Sequence, residues 1–193
     1  MYHIKDDKRS KCSSELIYKA LSDLMNKKNF DTIKITEVVQ TAQVGRATFY
    51  RNFDHLEDVL YYKCNERFST LYGYLIDYYK EERPIEYSFF ITPFLKFWYK
   101  DSKIIEELMA AKRLKFLFDA FGALLLKGFE DIDIGDPLFE DNIDYYIALR
   151  SGIAINVLIC WLQNKKNQTP EQISEVIYVQ MSSTFSRDLF KPQ

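Results

Sequence analysis

Apolar residues recur at helical spacing along almost the whole chain, and few residues interrupt that rhythm. Leu16, Ile17, Ala20, Leu21, Leu24 and Met25 fall at i, i+1, i+4, i+5, i+8 and i+9, one face of a first helix. The polar run 26–29 ends it, and Phe30 is placed to fold back as an anchor. Thr36 is expected to cap a short second helix, because a Thr hydroxyl accepts an orphan backbone N–H. Gln43, Val44 and Gly45 then make a turn, and a third helix covers about 46–53. Asp54 and Glu57 have the spacing of a capping box, so a fourth helix should open there and run to about Lys80. At about 1.5 Å per residue that is a rod of roughly 40 Å. Further helices are predicted over 85–100, 103–111, 114–129, 139–165 and 170–189. The last has Thr169 as its cap, Pro170 at the first helical position and Gln172 completing a second box. Only 6 Gly and 5 Pro stand among 193 residues, which argues against an all-β sandwich with many tight turns. The expected fold class is all-α.

The remaining composition mostly excludes. Cys12, Cys64 and Cys160 lie too far apart for a disulfide framework or zinc spacing. The two histidines, His3 and His55, belong to no ligand or catalytic cluster. A Gly-rich phosphate loop, a paired acid/base and a nucleophile motif are all missing, so no enzyme, metal site or cofactor is predicted. The stretch 131–136 resembles a calcium loop only in passing, since its Gly comes early and Asn142 stands where a bidentate Glu is needed. Charges occupy the start of the chain, where a signal peptide is apolar. The longest apolar runs, 89–99 and 152–162, are interrupted and fall short of the roughly 20 residues of a membrane span. A soluble, cytoplasmic protein without a membrane partner is expected.

Residues 36–53 are the informative part. Two short helices joined by a Gly-containing turn describe a helix-turn-helix. Ile35, Val38, Val39, Ala42, Val44, Phe49 and Phe53 are placed to pack this pair against the first helix. Arg46, Ala47, Thr48, Tyr50 and Arg51 then face outward. Two cations, two hydroxyls and a small apolar side chain on one exposed turn suit phosphate and base-edge contacts. The near-neutral total charge of −2 conceals a matching split. Residues 1–53 carry 10 Lys+Arg against 6 Asp+Glu, and the rest carry 16 against 22.

From about Lys11 to Leu60 the chain resembles the N-terminal domain of the TetR family of bacterial transcriptional regulators. The likeness is carried by Arg46-Ala47-Thr48-Phe49-Tyr50, then Phe53, Glu57 and Leu60, and by Ile33-Lys34-Ile35-Thr36 with Ala42. The resemblance implies an N-terminal helix-turn-helix domain, residues 1–54, and a helical effector-binding and dimerisation domain, residues 55–193. It implies double-stranded operator DNA as the partner of a homodimer. By the same resemblance Thr36 meets a phosphate at the start of helix two, and Arg46 reads guanine. Ala47 and Thr48 offer methyl groups to thymine, Tyr50 binds phosphate and Arg51 adds charge, while Lys8, Arg9 and Lys11 form a mobile arm. Two positions depart from the pattern. Gln43 stands where the family has Gly, and Gly45 where it has a polar cap, so either the left-handed residue has moved or Gln43 bears strain. Leu56 replaces a Lys that grips phosphate, a loss that His55 and Arg51 are placed to offset.

Tyr145-Tyr146-Ile147, Gly152, Trp161 and Thr169-Pro170-Glu171-Gln172-Ile173 are similar to the C-terminal pattern of a TetR subgroup common in low-GC Gram-positive bacteria. The resemblance implies that the last two helices form a dimer interface, with Gly152, Ile155, Leu158, Ile159, Val176 and Val179 as contacts. It also implies a pocket for an unknown small-molecule effector, apolar or aromatic, lined by Phe90, Phe94, Phe97, Trp98, Arg113 and Phe121. A ligand-released repressor of a palindromic operator is the leading expectation. An activator or co-activator working through a protein partner, and a helical interaction protein that binds no DNA, stay open beside it.

Overall fold

The computed structural model describes residues 1–82, 91–131 and 142–182. These form nine α-helices and one short 3-10 turn, and the single β-bridge pairs Tyr2 with Phe53. The expected all-α class holds. Helix α1 (Lys8–Met25) is followed by the 3-10 turn Phe30–Thr32, α2 (Ile35–Thr41), α3 (Arg46–Asn52) and the long α4 (Leu56–Glu82). Helices α5 (Ile91–Lys100), α6 (Lys103–Ala110), α7 (Lys115–Asp131), α8 (Ile143–Gln163) and α9 (Pro170–Ser182) complete the described chain.

Helix starts follow local hydrogen bonding, and two differ from expectation, α2 by two residues and α4 by one. Asp7 caps α1 by accepting the N–H of Ser10 at 2.7 Å. Lys8, Arg9 and Lys11 therefore belong to a helix, not to a mobile arm. Helix α2 starts at Ile35 after Lys34, so Thr36 lies inside the first turn and is not the cap. Its start is tied instead by Glu37, whose carboxylate accepts the Lys34 N–H at 2.9 Å and two bonds from Lys28 Nζ at 2.6 and 2.7 Å. The box expected from Asp54 and Glu57 is likewise displaced. Asp58 accepts the N–H groups of Asp54 and His55, at 3.1 and 2.7 Å, because Asp54 is turned toward His3. The Thr169–Gln172 box forms reciprocally, with Thr169 N–H donating to Gln172 Oε1 at 2.9 Å and Gln172 N–H to Thr169 Oγ1 at 3.3 Å.

One hydrophobic core runs from the first three helices into the C-terminal ones, and α4 belongs to both ends. Its buried side chains run from Val59 and Leu60 near its start to Phe68, Leu71 and Leu75 further along. Helix α4 packs on α1, α5, α6 and α7, α7 packs on α8, and α9 packs on α5. Gly122 permits the α7–α8 crossing, since a Cβ there would stand 3.3 Å from Ile147 Cγ2.

Four of the aromatic residues expected to line the pocket belong to the core. Phe94, Trp98 and Phe121 are fully buried and Phe97 nearly so. Their rings meet one another and Phe68 at centroid distances of 5.0 to 6.4 Å, mostly edge-on, the arrangement that aromatic quadrupoles favour. Of the expected pocket lining, Phe90 lies outside the described residues. Arg113 is engaged elsewhere, between Glu57 and Asp31. The suggested calcium loop, after Asp131, also lies outside the described residues.

Helix α8 is shorter than the expected 139–165, but it is apolar well beyond the run 152–162; by length and composition alone it would be able to cross a membrane. Its buried side is Ser151, Ala154, Ile155, Leu158 and Trp161. Ile155 and Leu158 thus lie inside the protomer, against the expectation that they are interface contacts. Tyr145 and Leu149 are 79% and 63% exposed, and Gly152 and Ile159 are half-buried beside them. Val176 and Val179 on α9 are about half exposed.

Candidate nucleic-acid interface

The helix-turn-helix is built from α2, a four-residue turn and α3. Val38 and Val39 bury one face of α2, and Phe49 with Phe53 buries the inner face of α3. Phe49 and Phe53 touch at 5.8 Å between centroids. The turn confirms one of the two alternatives for Gln43. It adopts φ 54, the left-handed region, while Gly45 sits at φ −74 and precedes α3 without any side-chain cap. Glycine is therefore not where the chain's handedness would favour it.

A polar cluster that periodicity does not reveal seats α3 on α1. Asn52 is fully buried; its Oδ1 accepts from Ser10 Oγ at 3.0 Å and its Nδ2 donates to Ser13 Oγ at 2.9 Å. Ser10 Oγ also accepts the Lys5 N–H at 3.2 Å. The segment before α1 hooks over the end of α3. His3 N–H donates to the Asn52 carbonyl at 2.8 Å, and the Asp54 N–H donates to the Met1 carbonyl at 3.2 Å. Tyr2 packs its ring against Tyr61 and Tyr62. His3 Nε2 lies 3.1 Å from Asp54 Oδ1, and this contact chiefly holds the Asp54 carboxyl below its ordinary range. Ser10, Ser13 and Ser14, at i, i+3 and i+4 on one face of α1, are the signal for this contact, since Ser is otherwise an indifferent helix former.

With Phe49, Asn52 and Phe53 turned inward, Arg46, Ala47, Tyr50 and Arg51 are exposed on the outer face of α3, and Thr48 is half-buried beside them. Tyr50 is 53% exposed, its ring edge-on to Phe49. Arg51 leans toward Thr48, Nη2 to Oγ1 at 3.4 Å. The Arg46 side chain has no hydrogen bond or ion pair among the described residues. Thr36 is exposed in the first turn of α2, and His55 is exposed just before α4. Leu56 does not face outward as the Lys it replaces would; it lines a shallow groove with Phe30, Ile33, Ile35, His55 and Glu57. The face thus combines two cations, a phenol, a hydroxyl and the first turns of two helices, where N–H groups and the helix dipole favour anions.

The C-terminal region, residues 86–183, matches the family model described as the transcriptional regulator C-terminal region of TetR type. The HTH-type dhaKLM operon transcriptional activator DhaS of Lactococcus lactis subsp. lactis is 33% identical over 72 residues, 37% of this chain. That match spans 38% of the relative's own length. Among solved structures, Lin0861 from Listeria innocua superposes with a TM-score of 0.73 at 16% identity, covering 91% of this chain and 92% of that one. The fatty acid degradation regulator FadR from Bacillus halodurans gives a TM-score of 0.54, also at 16% identity, over 90% and 94% of the two chains. Identities this low speak for the fold, whereas the family model covers half of the sequence: the chain belongs to the TetR family of transcriptional regulators.

Proposed function

We propose that the protein is a cytoplasmic, homodimeric DNA-binding regulator in which residues 1–54 read a palindromic operator and residues 55–193 bind an effector and dimerise. The outer face of α3 carries this reading: Arg46, Ala47, Tyr50 and Arg51 are exposed together because Phe49, Asn52 and Phe53 are buried. Arg46 is the side chain for guanine, Ala47 and Thr48 for thymine methyl groups, and Thr36, Tyr50, Arg51 and His55 for phosphates. Two such helices would enter successive major grooves about 34–36 Å apart. The exposed apolar side of α8 and α9 supports a second copy as its cover. A small apolar or aromatic effector would release DNA by favouring the conformation that does not bind it.

An activator working with a protein partner is the second reading. A relative named as a transcriptional activator favours it, as does Leu56 turned into a groove where the family grips phosphate. The test begins with the duplex that the full chain enriches from a random pool. Affinity should fall steeply with salt. Arg46→Ala should cost about 1–3 kcal/mol and relax the preference for one base, whereas Tyr50→Phe should weaken binding to all sequences alike. Equal losses on the enriched duplex and on random DNA for both variants would overturn this division of roles.

A further inference from the structure

Arg113, the cation expected to face an effector, is engaged by Glu57 and Asp31. Another arginine of the C-terminal helices is not engaged in this way. Arg150, two turns into α8, is half-buried, and among the described residues it has no carboxylate partner. Its guanidinium lies instead over the ring of Tyr146, one turn earlier on the same helix, at 4.9 Å from the centroid. Phe129, near the end of α7, meets the Tyr146 ring edge-on at 4.8 Å. Tyr79, near the end of α4, has its own ring edge-on to Tyr78 at 6.4 Å. Burial raises the Tyr79 phenol above its ordinary range and the charge of Arg150 opposes that rise, so hydroxyl and guanidinium share one corner. At neutral pH the phenol keeps its proton and can donate.

Half-buried aromatic side chains from α4, α7 and α8 thus gather around a guanidinium without a counter-charge. A partly desolvated guanidinium gains most from an anion that accepts two parallel N–H bonds, and a carboxylate has that geometry. Lys127 of α7 stands over the Tyr72 ring at 4.5 Å. One guanidinium balances a monoanion, not a phosphate dianion, and the neighbouring rings favour a flat apolar body. We propose that Arg150, Tyr79, Tyr146 and Phe129 form an effector site for an aromatic carboxylate. Arg150 pairs with the carboxylate, Tyr79 donates to it, and Tyr146 and Phe129 pack against the ligand's ring. The proposal rests on the reading of residues 55–193 as effector-binding and names the chemical class of that effector.

Isothermal titration calorimetry on the full chain, without DNA and at neutral pH, compares 1-naphthoate with its uncharged amide, 1-naphthamide. The acid should bind about tenfold more tightly, the margin of a charge-assisted pair over a neutral hydrogen bond. In Arg150→Met, whose apolar stem still covers Tyr146, that preference should vanish while the amide binds as before. Tyr79→Phe should weaken the acid by about threefold and leave the amide unchanged. Should Arg150→Met fail to fold, Tyr79→Phe decides alone by the same ratio. Equal affinity of acid and amide for the wild type overturns the proposal, as does an acid that does not bind, or a preference that survives in Arg150→Met. Acid that binds through Arg150 without changing affinity for the enriched duplex overturns the effector reading of this domain and leaves the carboxylate site standing.

Discussion

Gln43 takes φ 54 between α2 and α3, where a residue with a Cβ pays for the left-handed backbone at about 1 kcal/mol or more. Substituting Gly would remove that cost and add roughly 0.5–1 kcal/mol of unfolded-state entropy. Gln43→Gly should therefore raise stability slightly, by about 0.5 kcal/mol, in urea unfolding; a clear loss would show that the Gln side chain contributes something the geometry does not reveal. The neighbouring Gly45, at φ −74, needs no such freedom. Residue-level chemistry also explains how α3 is held. Asn52 has no exposed surface and two serine partners, so its amide fixes the roll of the helix that carries Arg46 and Tyr50.

At the scale of an element, α2 depends on a carboxylate that the helical pattern does not single out. Glu37 closes the first turn while paired with Lys28, and these contacts, Lys28 first and the Lys34 N–H next, hold its carboxyl below the ordinary value of 4.5. A carboxyl depressed in the folded state stabilises above its unfolded pKa, and this contribution is lost as pH falls through the folded value. The pair is partly exposed, so its contribution is small. Glu37→Gln should lower stability at neutral pH and flatten its decline below pH 4.5, followed by circular dichroism in urea at stepped pH. An acid profile identical to the wild type would remove Glu37 from this role. The shifted starts of α2 and α4 share one device: a carboxylate three residues on accepts the N–H at the helix start, Glu37 for Lys34 and Asp58 for His55.

For the whole molecule, the decisive feature is a helix apolar on both sides. Helix α8 buries Ile155, Leu158 and Trp161 within the protomer and leaves Tyr145 and Leu149 exposed, and α9 exposes Val176 and Val179. Apolar surface gathered in this way is what a second copy would cover. Leu149→Arg with Val179→Arg should convert a sedimenting dimer to monomer with helix content unchanged, because charges at the centre of an isologous contact meet their own copies. A variant that still sediments as a dimer would move the interface away from α8 and α9.

Helix number, the helix-turn-helix, the outward set on α3 and the box at Thr169 were legible in the sequence because each rests on local spacing or neighbouring residues. Periodicity states that a helix has an apolar face, and that was enough to place Phe49 and Phe53 inward. It does not distinguish the two faces of α8, so it offers no correction to the resemblance that puts Ile155 and Leu158 at an interface when they lie in the core, and it does not show that Tyr145 and Leu149 are exposed. Nor did it reveal Ser10–Asn52, Tyr18–Glu107 or Arg113–Glu57, whose partners stand 42, 89 and 56 residues apart. Local sequence sets which residues share a helix face. Which faces meet, and which polar groups find each other there, is decided only when the packed helices bring distant residues within hydrogen-bond reach.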